Sequence, residues 1–123
     1  MHSLYKEHIL DHYKNPRNFG LLKEFDKEFS DSNPLCGDEI KIQVKLSGNK
    51  IGAIGFTGRG CAISQASTSM LTEMVVGKTI EDVKKMTNDD VIKLLGVQVT
   101  ASRIKCALLG WVALKKALYG VEL

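Results

Sequence analysis

Ile40-Lys41-Ile42-Gln43-Val44-Lys45-Leu46-Ser47, followed by Gly48-Asn49-Lys50 and then by Ile54 and Phe56, is the stretch that decides the fold. Ile40, Ile42, Val44 and Leu46 alternate strictly with polar residues, the period of a strand with one buried face. Ser47-Gly48-Asn49-Lys50 supplies turn chemistry, so Ile54 and Phe56 belong to a returning strand and the pair forms a hairpin. Upstream, Phe25 and Phe29 predict a third, weaker strand. Downstream of Cys61 the period becomes helical. Ile63, Ala66, Met70 and Met74 fall on one stripe, and Gly77 is a suitable stop. Thr79 with Asp82, and Thr87 with Asp90, are candidate capping boxes that open two short helices.

Working outward to the ends, Leu4, His8, Ile9, His12 and Tyr13 have helical spacing. That helix should end before Asn15-Pro16, because the residue before a proline is driven out of the helical region. Asn15-Pro16-Arg17-Asn18-Phe19-Gly20 reads as an ordered turn. From Ser102 to Tyr119, Ile104, Leu108, Trp111, Val112 and Leu118 predict a final apolar helix. Strands grouped ahead of helices indicate an α+β domain: a small antiparallel three-stranded sheet packed against helices, filling residues 1–123 as a single domain. Met70, Met74 and Trp111 are expected in its core.

Composition excludes several classes. With 44% hydrophobic and 25% charged residues, the chain has the make-up of a folded domain, and disorder is not expected. Its apolar runs are too short for a membrane span, and MHSLYKEHIL has no signal-peptide core. A cytoplasmic protein is expected. The net charge of +3 is spread along the chain, which does not favour nucleic acid as a partner. Three cysteines, far apart, do not suggest structural disulfides in a reducing compartment.

The surroundings of those cysteines carry the chemistry. Pro34-Leu35-Cys36-Gly37-Asp38 immediately precedes the best strand, so Cys36 and Asp38 can aim at one ion. By itself, a turn with a solvated aspartate is the simpler reading. Gly58-Arg59-Gly60-Cys61-Ala62 follows a strand and opens a helix, where free N–H groups and the helix dipole favour negative charge. Its glycines permit close backbone approach, although a buried structural cysteine would also suit that junction. Arg103-Ile104-Lys105-Cys106 lies near the start of the last helix, and Cys106 taken singly is better read as core. Together, three thiolates and one carboxylate would complete a tetrahedral zinc site, or the four terminal positions of a 2Fe–2S cluster. Arg59, Arg103 or Lys105 would offset the negative charge of such an exposed site. His8 and His12 share a helix face and could bind metal, though such histidines more often pack or bond to the backbone.

These motifs resemble the U-type iron–sulfur scaffold family of IscU, SufU and the N-terminal domain of NifU. The resemblance runs through Tyr5, His12-Tyr13-Lys14-Asn15-Pro16-Arg17-Asn18-Phe19-Gly20, Asn33-Pro34-Leu35-Cys36-Gly37-Asp38, Gly60-Cys61-Ala62-Ile63-Ser64-Gln65-Ala66-Ser67 and Arg103-Ile104-Lys105-Cys106. It implies Cys36, Asp38, Cys61 and Cys106 as ligands of a 2Fe–2S cluster or of zinc. It also implies a cysteine desulfurase as sulfur donor, recipient proteins for the finished cluster, and homodimers or higher oligomers.

The chain departs from the IscU pattern at Lys105, where that pattern has histidine, and at Val99-Thr100-Ala101-Ser102-Arg103, where IscU proteins carry a chaperone-docking motif. Lys105 and Ser64-Gln65-Ala66-Ser67 resemble the SufU branch. The compact 44-residue interval between Cys61 and Cys106 resembles IscU, since SufU proteins typically carry an insertion there. The first expectation is therefore a cluster-assembly scaffold, with sulfurtransferase activity left open. The alternatives are a zinc-dependent persulfide carrier, with Cys36, Cys61 or Cys106 as sulfur acceptor, and a structural zinc domain that binds partners.

Overall fold

The computed structural model describes residues 2–34 and 37–120, and the side chains of those from residue 7 onward. Helix α1 spans His2–Lys14 and stops ahead of Asn15-Pro16, as the proline requires. Strands β1 (Lys27–Asn33), β2 (Asp38–Ser47) and β3 (Lys50–Arg59) follow, then helices α2 (Ala62–Val75), α3 (Ile80–Lys84), α4 (Asn88–Leu94) and α5 (Ala101–Tyr119). The sheet is antiparallel throughout, in the order β1-β2-β3. Ser47 pairs with Lys50 across a two-residue connection, in which Gly48 takes φ +64°.

The alternation in β2 does what its period demands. Ile40, Ile42 and Val44 are 0–1% exposed and lie opposite Gly58, Phe56 and Ile54 of β3. Helices α2 and α5 cover this face, and Leu71, Val75, Leu109, Trp111 and Leu114 complete the main core. Phe29 of β1 packs against that core from the sheet edge, whereas Phe25 precedes the strand and is exposed. The Asn18–Leu22 segment closes the far edge of β3. Gly20 N–H donates to Phe56 O, Phe56 N–H donates to Asn18 O, and Leu22 N–H donates to the Gln43 side chain. The loop thus pairs the middle of an otherwise open sheet edge, at Phe56.

Helix α2 differs from the expected single stripe. Ser64, Gln65, Ser67, Thr68, Ser69 and Thr72 are buried along with Ala66, Met70 and Leu71, so nearly its whole circumference is covered. Met74, expected in the core, is only half-buried. The physical reason is the neighbourhood: α1, α4, α5 and β3 all contact α2. Its hydroxyls are bonded where they are buried: Ser67 donates to Ala107 O, Thr68 to Ser64 O, and Thr72 to Ser69 O. Small residues also let α5 come close, since a Cβ at Gly110 would lie 2.2 Å from Thr68 Oγ1.

Helix α5 buries Cys106, Ala107, Leu109, Gly110, Trp111, Ala113, Leu114, Ala117 and Leu118. Ile104, predicted to be apolar core, is exposed: it sits in the first turn of α5, where residues 101–105 are all exposed. Of the two predicted capping boxes, Thr87 and Asp90 form the full reciprocal pair. Thr79 forms only the forward half, accepting from Asp82 N–H.

Candidate metal centre

Strand β2 opens with Asp38 and strand β3 ends at Arg59, so the sheet delivers a carboxylate and the Gly60-Cys61 connection to the same end. Cys61 is the N-cap residue of α2. Its backbone N–H donates to Asp38 Oδ1 at 2.8 Å, and its thiol lies 3.4 Å from Asp38 Oδ2. The carboxylate is thus anchored at a helix N-terminus, where negative charge is stabilised. Gly60 makes this approach possible. Its φ is +133°, and a Cβ there would lie 2.0 Å from Asp38 Oδ1. Cys106 reaches the same place from α5, and one ligand atom each from Asp38, Cys61 and Cys106 fall within 4.8 Å of one another.

Asp38 and Cys106 are both 0% exposed and Cys61 is half-buried, so this triad is covered rather than exposed as the sequence suggested. The cause is the tight closure of α2 and α5 over the end of the sheet. Cys106 joins the two readings that the sequence left open: it is a buried residue that also faces the site. Cys36 lies outside the described residues. It belongs to the short connection between β1 and β2, whose flanking residues Asn33 and Asp38 are cross-strand partners. Asn33 is itself a site neighbour that the sequence reading gave no role, with its amide Nδ2 4.0 Å from Cys106 Sγ. Its position directly opposite Asp38 was the available signal, because the paired residues at a hairpin's mouth flank whatever its loop presents.

The three cations expected to offset the charge of the site are all exposed. Arg59 pairs with Glu39 at 3.0 Å, and Arg103 and Lys105 are exposed without a bond to Asp38 or Cys61. Lys105 instead lines a small cleft with Asp31, Asn33 and Leu109. The histidines also separate. His12 is buried, with Nδ1 2.8 Å from Ser69 Oγ, while His8 is exposed and meets His12 edge to face. Burial, with help from the Arg17 and His8 charges, pushes the His12 pKa below the usual histidine value.

The donor set fits a thiophilic metal. For bond lengths of about 2.3 Å to sulfur and 2.0 Å to oxygen, a tetrahedral ion separates the two donors by about 3.5 Å. The Cys61 Sγ to Asp38 Oδ2 distance of 3.4 Å meets that value without rearrangement. Among the described residues, this is the group of three metal-ligating side chains that converges closely enough to hold an ion.

The fold is a three-stranded α+β domain with a candidate thiol–carboxylate metal site at one end of its sheet. The sequence matches the NifU-like N terminal domain over residues 4–122, and the chain belongs to that family. It is 41% identical to the zinc-dependent sulfurtransferase SufU of Bacillus subtilis (strain 168), covering 93% of this chain and 88% of that protein. It is 39% identical to the iron–sulfur cluster assembly scaffold protein IscU 1 of Archaeoglobus fulgidus, covering 94% and 74% respectively. Among solved structures, it resembles a putative iron–sulfur cluster assembly scaffold protein for the SUF system from Fervidobacterium islandicum AW-1. The TM-score is 0.78 at 33% identity, over 95% of this chain and 98% of that one. The Bacillus alignment spans 132 positions, more than the 123 residues of this chain, so that relative carries residues this chain lacks. The Archaeoglobus alignment spans 115.

Proposed function

We propose that this chain is a scaffold on which a 2Fe–2S cluster is built from iron and desulfurase-derived sulfur, and from which the cluster passes to recipient proteins. Cys36, Asp38, Cys61 and Cys106 are its ligands. The convergence of Asp38, Cys61 and Cys106 within 4.8 Å carries this reading. Cys36 joins from its place in the chain, two residues ahead of Asp38. Asp38 supplies the lability a scaffold needs, since a hard oxygen among soft thiolates releases iron more readily than a fourth thiolate. Iron and sulfide are cargo here, and the chain contributes ligands held in register by the sheet end and two helices.

The second reading is a zinc-bound sulfur carrier, and one observation favours it. One ligand atom each from Asp38, Cys61 and Cys106 lie within 4.8 Å of one another, the crowding of ligands on a single ion, whereas a 2Fe–2S cluster seats two terminal ligands per iron, so any three include a pair on opposite irons that must stand further apart. In this reading a freed thiolate attacks the terminal sulfur of the desulfurase persulfide. A new S–S bond forms on the carrier, the donor's S–S bond breaks, and the electron pair leaves with the donor thiolate.

Anaerobic purification followed by metal analysis and an optical spectrum separates the two. Iron with a 2Fe–2S spectrum, lost on replacing any one cysteine by serine, is the expected result. A cysteine whose replacement leaves full and equally tight occupancy is not a ligand. Bound zinc with no capacity to take up a cluster from iron and sulfide refutes the scaffold. Lys105→His restores the residue of the IscU pattern and sharpens the choice. If that change alone stabilises a cluster on a protein otherwise isolated with zinc, the carrier reading replaces the scaffold.

A further inference from the structure

Asn33 closes β1, and its polar groups reach toward three of the four proposed ligands. Along the backbone it is the cross-strand partner of Asp38, the residue that opens β2. Its carbonyl accepts from Gly37 N–H at 2.9 Å, which closes the connection to which Cys36 belongs. Its side-chain amide Nδ2 faces Cys106 Sγ at 4.0 Å, from a residue 73 positions away in the chain. That distance is too long for an N–H···O bond and lies at the outer reach of one to the larger sulfur atom. Asn33 is only 8% exposed, so packing holds the amide in this place.

The site needs such a donor. Three thiolates and one carboxylate on a divalent ion sum to a net charge of about −2. Buried negative charge is costly unless cations or hydrogen bonds meet it, and Arg59, Arg103 and Lys105 are all exposed. Fixed dipoles serve two of the ligands: Asp38 accepts the Cys61 N–H at 2.8 Å, and Cys61 is itself the N-cap of α2. Cys106 has no helix terminus to serve it. It sits in the second turn of α5, past the first-turn N–H groups that lack partners within the helix. The Asn33 amide supplies to Cys106 what the start of α2 supplies to Cys61.

We propose that Asn33 is a positioning residue of the metal centre, whose amide N–H donates to Cys106 Sγ as that sulfur ligates a metal. The inference rests on the ligand set proposed above. An outer bond of this kind fixes the direction of a ligand and tunes the metal it holds, as the hydrogen-bond partner of a metal-bound imidazole does. Hydrogen bonds to sulfur likewise tune iron–sulfur centres.

Cobalt(II) titration of the reduced full-length chain, and of Asn33→Leu and Asn33→Ala, tests this. Leucine deletes the donor at similar volume and alanine leaves space, so neither adds charge. Thiolate ligation gives an intense sulfur-to-cobalt charge-transfer band. An N–H···S bond lowers the energy of the donating sulfur lone pair and so moves that band to shorter wavelength. The expected result is a strong band in the wild type. Both variants should bind cobalt at least about tenfold more weakly, with the band at longer wavelength. Circular dichroism checks folding, and if one variant is unfolded the other decides. A folded variant with wild-type affinity and an unmoved band overturns the proposal. Weaker binding with an unmoved band makes Asn33 part of the framework alone and overturns the amide's role. A wild-type chain that shows no charge-transfer band refutes the ligand set itself, and the proposal falls with it.

Discussion

Gly60→Ala tests whether the approach of the β3–α2 connection to Asp38 builds the metal centre. At φ +133° an alanine is strained by about 1–3 kcal/mol. Its methyl would also meet Asp38 Oδ1 at 2.0 Å and Cγ at 2.7 Å. Carbon and oxygen do not tolerate contacts below 3.0 Å, so the carboxylate must retreat by about 1 Å. That movement breaks the 2.8 Å bond from Cys61 N–H and leaves buried polar groups unpaired, which costs a further 1–3 kcal/mol or so. The total is roughly 2–6 kcal/mol, a large share of the stability of a domain this size.

Gly20→Ala is the matched control. Its φ is +121°, but a Cβ there meets nothing within 4 Å, so only the strain component applies. Urea denaturation and competitive zinc titration of both variants give the two readouts. Both should be destabilised, Gly60→Ala by roughly 1–3 kcal/mol more than Gly20→Ala, and only Gly60→Ala should lose metal affinity. Equal destabilisation together with unchanged zinc affinity in Gly60→Ala would refute the reasoning.

Three further outcomes are expected. Chelation should leave the far-UV circular dichroism intact, because two apolar clusters hold the domain independently of metal; cooperative unfolding on chelation would instead mark a structural zinc site. Stability should fall on acidification below about pH 6.5. The His12 pKa is depressed in the folded state, so the unfolded chain binds its proton first and the contribution is lost as pH falls through the folded value. His12→Gln should flatten that dependence in pH-resolved denaturation, and an unchanged slope would contradict it. Asp38→Ala should slow cluster transfer to an acceptor apoprotein while the fold persists; transfer as fast as wild type would remove Asp38 from the release step.

The sequence by itself determined those features that depend on neighbours along the chain. The period-two run from Ile40 to Leu46 specifies a strand and its buried face, Asn15-Pro16 ends α1, and Thr87 with Asp90 caps α4. Glycine-bearing contexts and the family resemblance led to the expectation of one site for Cys36, Asp38, Cys61 and Cys106; the ligand atoms of Asp38, Cys61 and Cys106 do converge, and Cys36 lies outside the described residues. Tertiary structure decided what depends on neighbours distant in sequence. Ser64, Ser67, Thr68 and Thr72 look like an exposed face until α1, α5 and β3 enclose α2; their hydroxyls then find carbonyls, and polar residues become interior ones. Ile104 looks like core until the first turn of α5 is seen to lie at the surface. Cys106 and Asp38 are 68 residues apart, and no local pattern fixes their separation or their burial. That distance is set where the end of the sheet, the N-terminus of α2 and the second turn of α5 meet, because a Cβ-free Gly60 lets them close on one carboxylate.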